Sequence, residues 1–238
     1  MADIMAVLYF DELNIRPEEP DWSDRDRFIL SKGHTCPIQY ASLAERGFFP
    51  MEELDTLRQL GSHLQGHPDM RKVPGIDMTS GSLGNGLGLG VGMAIAAKIK
   101  GAAYRVYVAL GDGELQEGSV WEAAMSAAHY KLDNLVAIVD VNGLQVDGFV
   151  EDIMNISPLA EKWSSFGFHV IQIDGHSIEE IRDAFSRAKE IKGKPVCILA
   201  KTVKGKGVSY MENVCKWHGT APDEQEYRLA IEELGGSI

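Results

Sequence analysis

The chain has 238 residues, 45% of them apolar, and a formal net charge of −12. That length is enough for one sizeable core burying roughly 70–75% of the unfolded surface, and the acidic balance argues against nucleic acid or an anionic membrane as a partner. The three cysteines, Cys36, Cys197 and Cys215, are odd in number and lack CxxC spacing, so reduced thiols in a cytoplasm are expected; no run approaches the ~20 apolar residues of a membrane span, and no stretch has a signal-peptide pattern.

Residues 2–13 show helical periodicity with almost no N-terminal cap. Residues 16–27 are charged and punctuated by proline, as a surface loop is. Residues 25–30 lead into Ser31-Lys32-Gly33-His34, and a helical stretch follows to about Gly47. Residues 50–60 read as a second amphipathic helix. The next segment, GSHLQGHPDMRKVPGIDMTSGSLGNG, has little periodicity and carries His63 and His67; long irregular segments in compact domains tend to be functional. Residues 81–100 read as a helix with six glycines in the first twelve positions. No G-x-G-x-x-G is present and no clear strand precedes it, so it is not a dinucleotide fingerprint. Its small residues instead allow close packing and offer N-terminal amides to a ligand.

Residues 104–110 form a short apolar run ended by Gly111, residues 120–130 a breaker-free helix, and residues 135–140 a second buried strand. Such a right-handed βαβ unit brings both strand ends to one edge of the sheet, where ligands bind in open α/β folds. Gly111-Asp112-Gly113 stands at the first end and Asn142-Gly143-Leu144 at the second, about 29 residues on. Asp112, Asn142 and a carbonyl near Leu144 supply the oxygens that a hard cation such as Mg²⁺ takes beside phosphate. The flanking glycines let backbone amides approach that phosphate. Glu117 and Glu122 suit a helix start, and His129 reads as a packed or surface residue.

Beyond Gly148 the pattern gives a helix at 159–166, a third strand at 168–173, and a helix at 177–191 with a capping box from Ser177 to Glu180. A fourth strand follows at 196–201, and an acidic helix at 221–234 is introduced by Pro222-Asp223. The expected fold is α/β, an open, mainly parallel sheet with helices on both faces, formed as one domain over 1–238. KTVKGKGVS is not a P-loop, because Ala200 replaces the first glycine and Gly207 follows Lys206. Its lysines are expected to be solvated, with neutralisation of a phosphate as the alternative.

The segment GDGELQEGSVWEAAMSAAHYKLDNLVAIVDVNGLQVDG resembles the thiamine diphosphate motif of transketolases, with Val141 where that family often has a polar residue or tyrosine. DRDRFILSKGH, GHPD, GSLGNGLGLGVGMA and WHG are similar to further loops of the family's diphosphate-binding (PP) domain, and the resemblance spans nearly the whole chain. It implies Mg²⁺, or another divalent cation such as Ca²⁺ or Mn²⁺, on Asp112, Asn142 and Leu144. It implies thiamine diphosphate held by His34, Gly81, Ser82, Leu83, Asp112, Gly113, Asn142 and His218. His34, His67 and His218 would orient sugar hydroxyls or shuttle protons, roles suited to a group titrating near neutrality. Glu117 and Glu122 would lie at a subunit interface near the cofactors.

The family's preceding helix and Gly-His-Pro-Gly loop have no counterpart in this sequence, so either the true start lies upstream of Met1 or the protein works without that loop; the family's pyrimidine-binding domain has no counterpart either. The resemblance therefore implies the N-terminal subunit of a two-chain transketolase. It would form a heterotetramer with a C-terminal subunit, transferring a two-carbon ketol unit between sugar phosphates in pentose phosphate-type carbohydrate metabolism. The alternatives are a deoxyxylulose-phosphate synthase-like or 2-oxoacid dehydrogenase-like component, which DRDRFILSKGH with WHG disfavours, and a non-catalytic cofactor-binding regulatory chain.

Overall fold

Five runs of mostly apolar residues form a parallel sheet in the computed structural model, which describes residues 1–236. They are β1 (Arg27–Leu30), β2 (Val106–Gly111), β3 (Leu135–Val141), β6 (His169–Asp174) and β7 (Val196–Lys201), in the order β1-β2-β3-β7-β6. A small antiparallel hairpin of β4 (Leu144–Gln145) and β5 (Gly148–Phe149) follows the end of β3, and the short helix α5 (Val150–Met154) continues from it.

Successive strand residues point to opposite faces, and each face has its own core. Phe28, Tyr107, Ile138 and Ile198 meet α1 (Ala2–Val7), α2 (Cys36–Glu45) and α7 (Ile178–Glu190) on one side. Ile29, Val108, Val139 and Leu199 meet α3 (Asn85–Lys100), α4 (Gly118–His129) and α6 (Leu159–Ser165) on the other. The expected open parallel sheet with helices on both faces is thus the fold observed. In α7 the buried positions Ile181, Ala184, Phe185 and Ala188 fall on one helical stripe. Burying Ile181 and Phe185 contributes roughly 1.5–3 kcal/mol each. α3 lies close to the sheet because Gly90 faces Val108, whose Cγ2 would be 2.5 Å from a Cβ at that position.

Several elements differ from the expectations. β1 is a fifth strand that the sequence pattern did not reveal; it is only four residues long and follows a charged run. The helix expected over 50–60 shrinks to a 3-10 segment, Met51–Thr56, with no buried residue, so no core contact rewards an α-helix there. The N-terminal helix loosens after Val7 into a π-type segment, Leu8–Glu12, closed by a Leu13 N–H to Leu8 carbonyl bond of 2.8 Å. α3 starts at Asn85, leaving Gly81–Gly84 as loop. The capping box at Ser177 is half formed: the Ser177 hydroxyl accepts from the Glu180 amide at 3.3 Å, but the Glu180 carboxylate accepts from the Asp174 amide at 2.8 Å. A full box closes instead at α8 (Glu224–Glu233), between Asp223 and Glu226.

The amino end of the sheet is fixed by charge. Asp26 accepts from the amides of Asn14 at 2.9 Å and Arg105 at 2.7 Å. Buried Asp77 accepts from the Phe28 amide at 2.8 Å and pairs with Arg25 at 2.5 Å and Arg27 at 3.5 Å. The carboxyl end is left for other work.

Candidate active site

All five strands send residues from their carboxyl ends into one cleft of about 520 Å³. Lys32 and His34 follow β1, Gly111, Asp112 and Gly113 close β2, and Asn142 and Leu144 follow β3. His176 follows β6, while Thr202 and Lys204 follow β7 and His218 arrives from a later 3-10 turn, Cys215–His218. This is the edge at which a parallel sheet presents a ligand site.

The two glycine-flanked turns are joined through Asp112. Its carboxylate accepts from the Gly113 amide at 2.8 Å and from the Gly143 amide at 2.6 Å. Burial pushes the Asp112 carboxyl up, opposed by those two amide bonds, and among the described residues it has no ion-pair partner. Asn142 is oriented at both ends. Its Nδ2 donates to Asp140 at 3.2 Å and its Oδ1 accepts from the Leu144 amide at 2.9 Å. Among the described residues no group of three or more His, Cys, Asp or Glu side chains is placed to hold a metal. The donor set here is of another kind, one carboxylate, one amide oxygen and one carbonyl, each oxygen having lone pairs beyond its present bonds. That chemistry fits a hard cation that completes its shell with phosphate oxygens and water.

Asp140 holds the opposite wall. It is buried and paired with the Lys32 ammonium, and the Thr202 hydroxyl donates to its second oxygen at 2.5 Å. Burial opposes its ionisation, yet the Lys32 charge and these bonds hold its carboxyl well below the usual range. Lys204 is pulled down by burial and by the neighbouring Lys32 ammonium; among the described residues it makes no ion pair, and its Nζ lies 3.2 Å from His218 Nδ1. A half-buried cation without an ion-pair contact among the described residues suits an anionic ligand, so Lys204 is not a solvated lysine. Lys206 is, being exposed and 3.6 Å from Glu212.

His34 and His218 are brought together, their rings stacked with centroids 5.0 Å apart. Burial, then the His218, Lys32 and Lys204 charges, lower the His34 pKa to about 4; burial and Lys204 lower His218. Both are neutral imidazoles at pH 7 and able to donate and accept. His67 is exposed and outside the cleft wall, its ring against Gly81, where a Cβ would lie 3.2 Å from His67 Cδ2. Leu83 lines the cleft; Gly81 and Ser82 sit in the loop before α3 without reaching it. Glu117 lines the cleft mouth, and Glu122 and His129 are exposed on α4. His63 pairs with Glu53 at 3.0 Å, a local contact. Cys36 is buried, burial raising its thiol pKa.

Sequence reasoning missed Lys32, Glu114, Asp140 and His176. The Val203 amide donates to His176 Nε2 at 2.8 Å, so the Nδ1–H faces Asp3 Oδ2, also at 2.8 Å, fixing the loop that carries Lys204. The available signals were charged residues directly closing buried strands, Lys32 just after β1 and Asp140 within β3.

The family described as "Transketolase, thiamine diphosphate binding domain" matches residues 1–237. The chain is 46% identical over 234 residues to the 6-deoxy-6-sulfo-D-fructose transketolase subunit SqwG of Clostridium sp. (strain MSTE9), covering 98% of this chain and 85% of that protein. It is 44% identical to an apulose-4-phosphate transketolase subunit from Phocaeicola vulgatus, covering 99% and 84%. Human transketolase is 44% identical over all of this chain, which spans 38% of it. The structure of transketolase from Leishmania mexicana superposes with a TM-score of 0.93 at 35% identity, over 98% of this chain and 37% of that one. With this cleft and this sheet, the chain belongs to the transketolase family and represents its thiamine diphosphate-binding domain.

Proposed function

We propose that this chain is one cofactor-binding domain acting as the N-terminal subunit of a two-chain transketolase. It would bind the Mg²⁺-diphosphate end of thiamine diphosphate and work in the cytoplasm with a C-terminal subunit that carries the pyrimidine-binding half, assembled as a heterotetramer. The observation that carries this is the joining of Asp112 to the Asn142–Leu144 turn through the Gly143 amide, with Lys32 and Lys204 in the same cleft. Ca²⁺ or Mn²⁺ would fit the same oxygen donors. The relatives named as subunits support the division into two chains, and the three free thiols suit a reducing compartment.

Thiamine diphosphate, when bound, supplies the carbanion chemistry that cleaves and forms the bond next to the substrate carbonyl. The chain's own residues do the rest on this side. Asp112, Asn142 and the Leu144 carbonyl hold the cation. Lys204 meets phosphate charge, with Lys32 kept in place by Asp140 and the Gly113 amide holding the Asp112 carboxylate. Leu83 edges the cofactor, and Gly81 and Ser82 shape the loop that carries it. Neutral His34 and His218 hydrogen-bond substrate hydroxyls or move a proton at them, and His67 orients hydroxyls farther along the sugar. The reaction is transfer of a two-carbon ketol unit from a ketose to an aldose. The relatives' names point to sugars with an anionic far end, a phosphate or a sulfonate, as donors.

The test is ketol transfer from xylulose 5-phosphate, fructose 6-phosphate, 6-deoxy-6-sulfofructose and apulose 4-phosphate to an aldose phosphate acceptor. The chain is assayed alone and mixed with its C-terminal subunit, with Mg²⁺ and thiamine diphosphate. Transfer only in the mixture is expected. Transfer by this chain alone, or none from any donor in a mixture that binds cofactor, would overturn the proposal.

A further inference from the structure

Glu114 lies just past the GDG turn, is 3% exposed, and makes none of the contacts described so far. Its carboxylate accepts three hydrogen bonds from three separate segments. Oε1 takes the Ser31 hydroxyl and the Gly84 amide, the latter at 2.9 Å, and Oε2 takes the Gly111 amide at 3.1 Å. Each donor stands next to a residue of the cleft wall: Ser31 beside Lys32, Gly84 beside Leu83, Gly111 beside Asp112. All three partners donate, and both oxygens are used inward. Glu114 is therefore built as a tie and not as a metal ligand.

The segments hang from β1, from the start of α3 and from β2. The first and last are already registered by the β1–β2 ladder, the Ser31 amide donating to the Ala109 carbonyl at 2.9 Å, whereas the loop before α3 pairs with no strand, and a loop alone does not hold such a position. Close approach on either side leaves little room for error. A Cβ at Gly86 would collide with the Ser31 hydroxyl, and one at Gly84 would lie 2.6 Å from Glu117 Cβ.

We propose that Glu114 is a positioning residue that sets the spacing of the three cofactor-facing loops, and so sets the affinity for thiamine diphosphate. The inference rests on the reading of this cleft as the Mg²⁺-diphosphate site. Glu114→Gln keeps the size but turns an amide NH₂ toward at least one of the three donors, so one or more ties is lost. Ser31→Ala removes the hydroxyl arm alone.

The experiment measures thiamine diphosphate binding to the full chain mixed with its C-terminal subunit, with saturating Mg²⁺, by calorimetry, together with amide hydrogen exchange of the ligand-free chain. Ile181→Val in α7 serves as a control of lowered stability far from the cleft. Glu114→Gln is expected to weaken cofactor binding about tenfold and to speed exchange at Gly84 and Gly111, while the core strands keep their protection. Ser31→Ala is expected to weaken binding about threefold, and it carries the test if Glu114→Gln does not fold. Ile181→Val is expected to bind as wild type does. Wild-type affinity in a folded Glu114→Gln chain, or in Ser31→Ala, would overturn the positioning role alone. A wild-type mixture of the two subunits that binds no thiamine diphosphate would overturn the site reading, and the positioning role with it.

Discussion

The rings of His34 and His218 stack 5.0 Å apart although they come from opposite ends of the chain. Two imidazoles at that distance cannot both be charged without repulsion, and Lys32 and Lys204 add to it. His34 accordingly has a folded-state pKa of about 4 against an ordinary 6.5. The unfolded chain then binds more protons than the folded one between those values, so stability rises with pH across that window. Above about pH 6.5 both states are neutral at this site and the term vanishes. Denaturant unfolding followed from pH 4 to 7 should show a falling acid limb, and His34→Gln should flatten it. An unchanged limb would mean that His34 is freely protonated in the folded chain.

Asp112→Asn tests the proposed cation site without changing side-chain size. The amide keeps one oxygen for either Gly113 or Gly143, and its NH₂ opposes the other backbone donor. Loss of stability of about 1–3 kcal/mol is expected from that mismatch. Mg²⁺-dependent binding of thiamine diphosphate should fall by at least about tenfold, equivalent to roughly 1.4 kcal/mol. Calorimetric titration reads both the cofactor and the metal. With a single carboxylate in the set, wild-type chain should hold Mg²⁺ only weakly until diphosphate is added, and chelation should release both together.

The Lys32–Asp140 pair is nearly dry, with 6% of each side chain exposed. Asp140→Ala leaves the ammonium without its partner and frees Asn142 Nδ2 and the Thr202 hydroxyl. Breaking one half of a buried pair costs about 3–5 kcal/mol. Lys32→Met should be milder, because Asp140 keeps Asn142 and Thr202 as donors. Urea midpoints at pH 7 rank the two variants, and the reverse order would contradict the network as described.

Gly84 has φ +83°, and a Cβ there would lie 2.5 Å from the Ser119 hydroxyl. Gly84→Ala combines a left-handed backbone with an overlap that Ser119 must relieve. A loss of about 2–4 kcal/mol is expected in thermal or chemical unfolding. Gly92→Ala, where nothing lies within 4 Å of the added methyl, should be neutral or slightly stabilising.

The two glycine turns were legible because the distance between them is fixed by regular elements. A strand, a helix and a strand of ordinary length return the chain to the same edge, so Asp112 and Asn142 could be read together. His34 and His218 were legible only through their local motifs; nothing in their spacing foretells that the rings stack. Lys32, Asp140 and Glu114 stayed hidden for a different reason. A charged residue beside an apolar run looks like a strand end meeting water, and only the convergence of several loops buries it. Lys204 failed in the same way, just before the Gly205-Lys206-Gly207 run that suggests a solvated turn. β1 was too short to show alternation, and residues 51–56 had the pattern of an amphipathic helix without a surface to pack on.

The polar groups that anchor the sheet are divided between its two ends. Asp26 and Asp77 hold the amino ends of β1 and β2 with backbone amides and arginines, out of reach of the cleft. Changes well separated in space add nearly independently. Heat tolerance in this protein can therefore be raised or lowered by substitutions at the amino edge while the chemistry of the cleft is varied at the other, and libraries for the two traits can be screened apart and then combined.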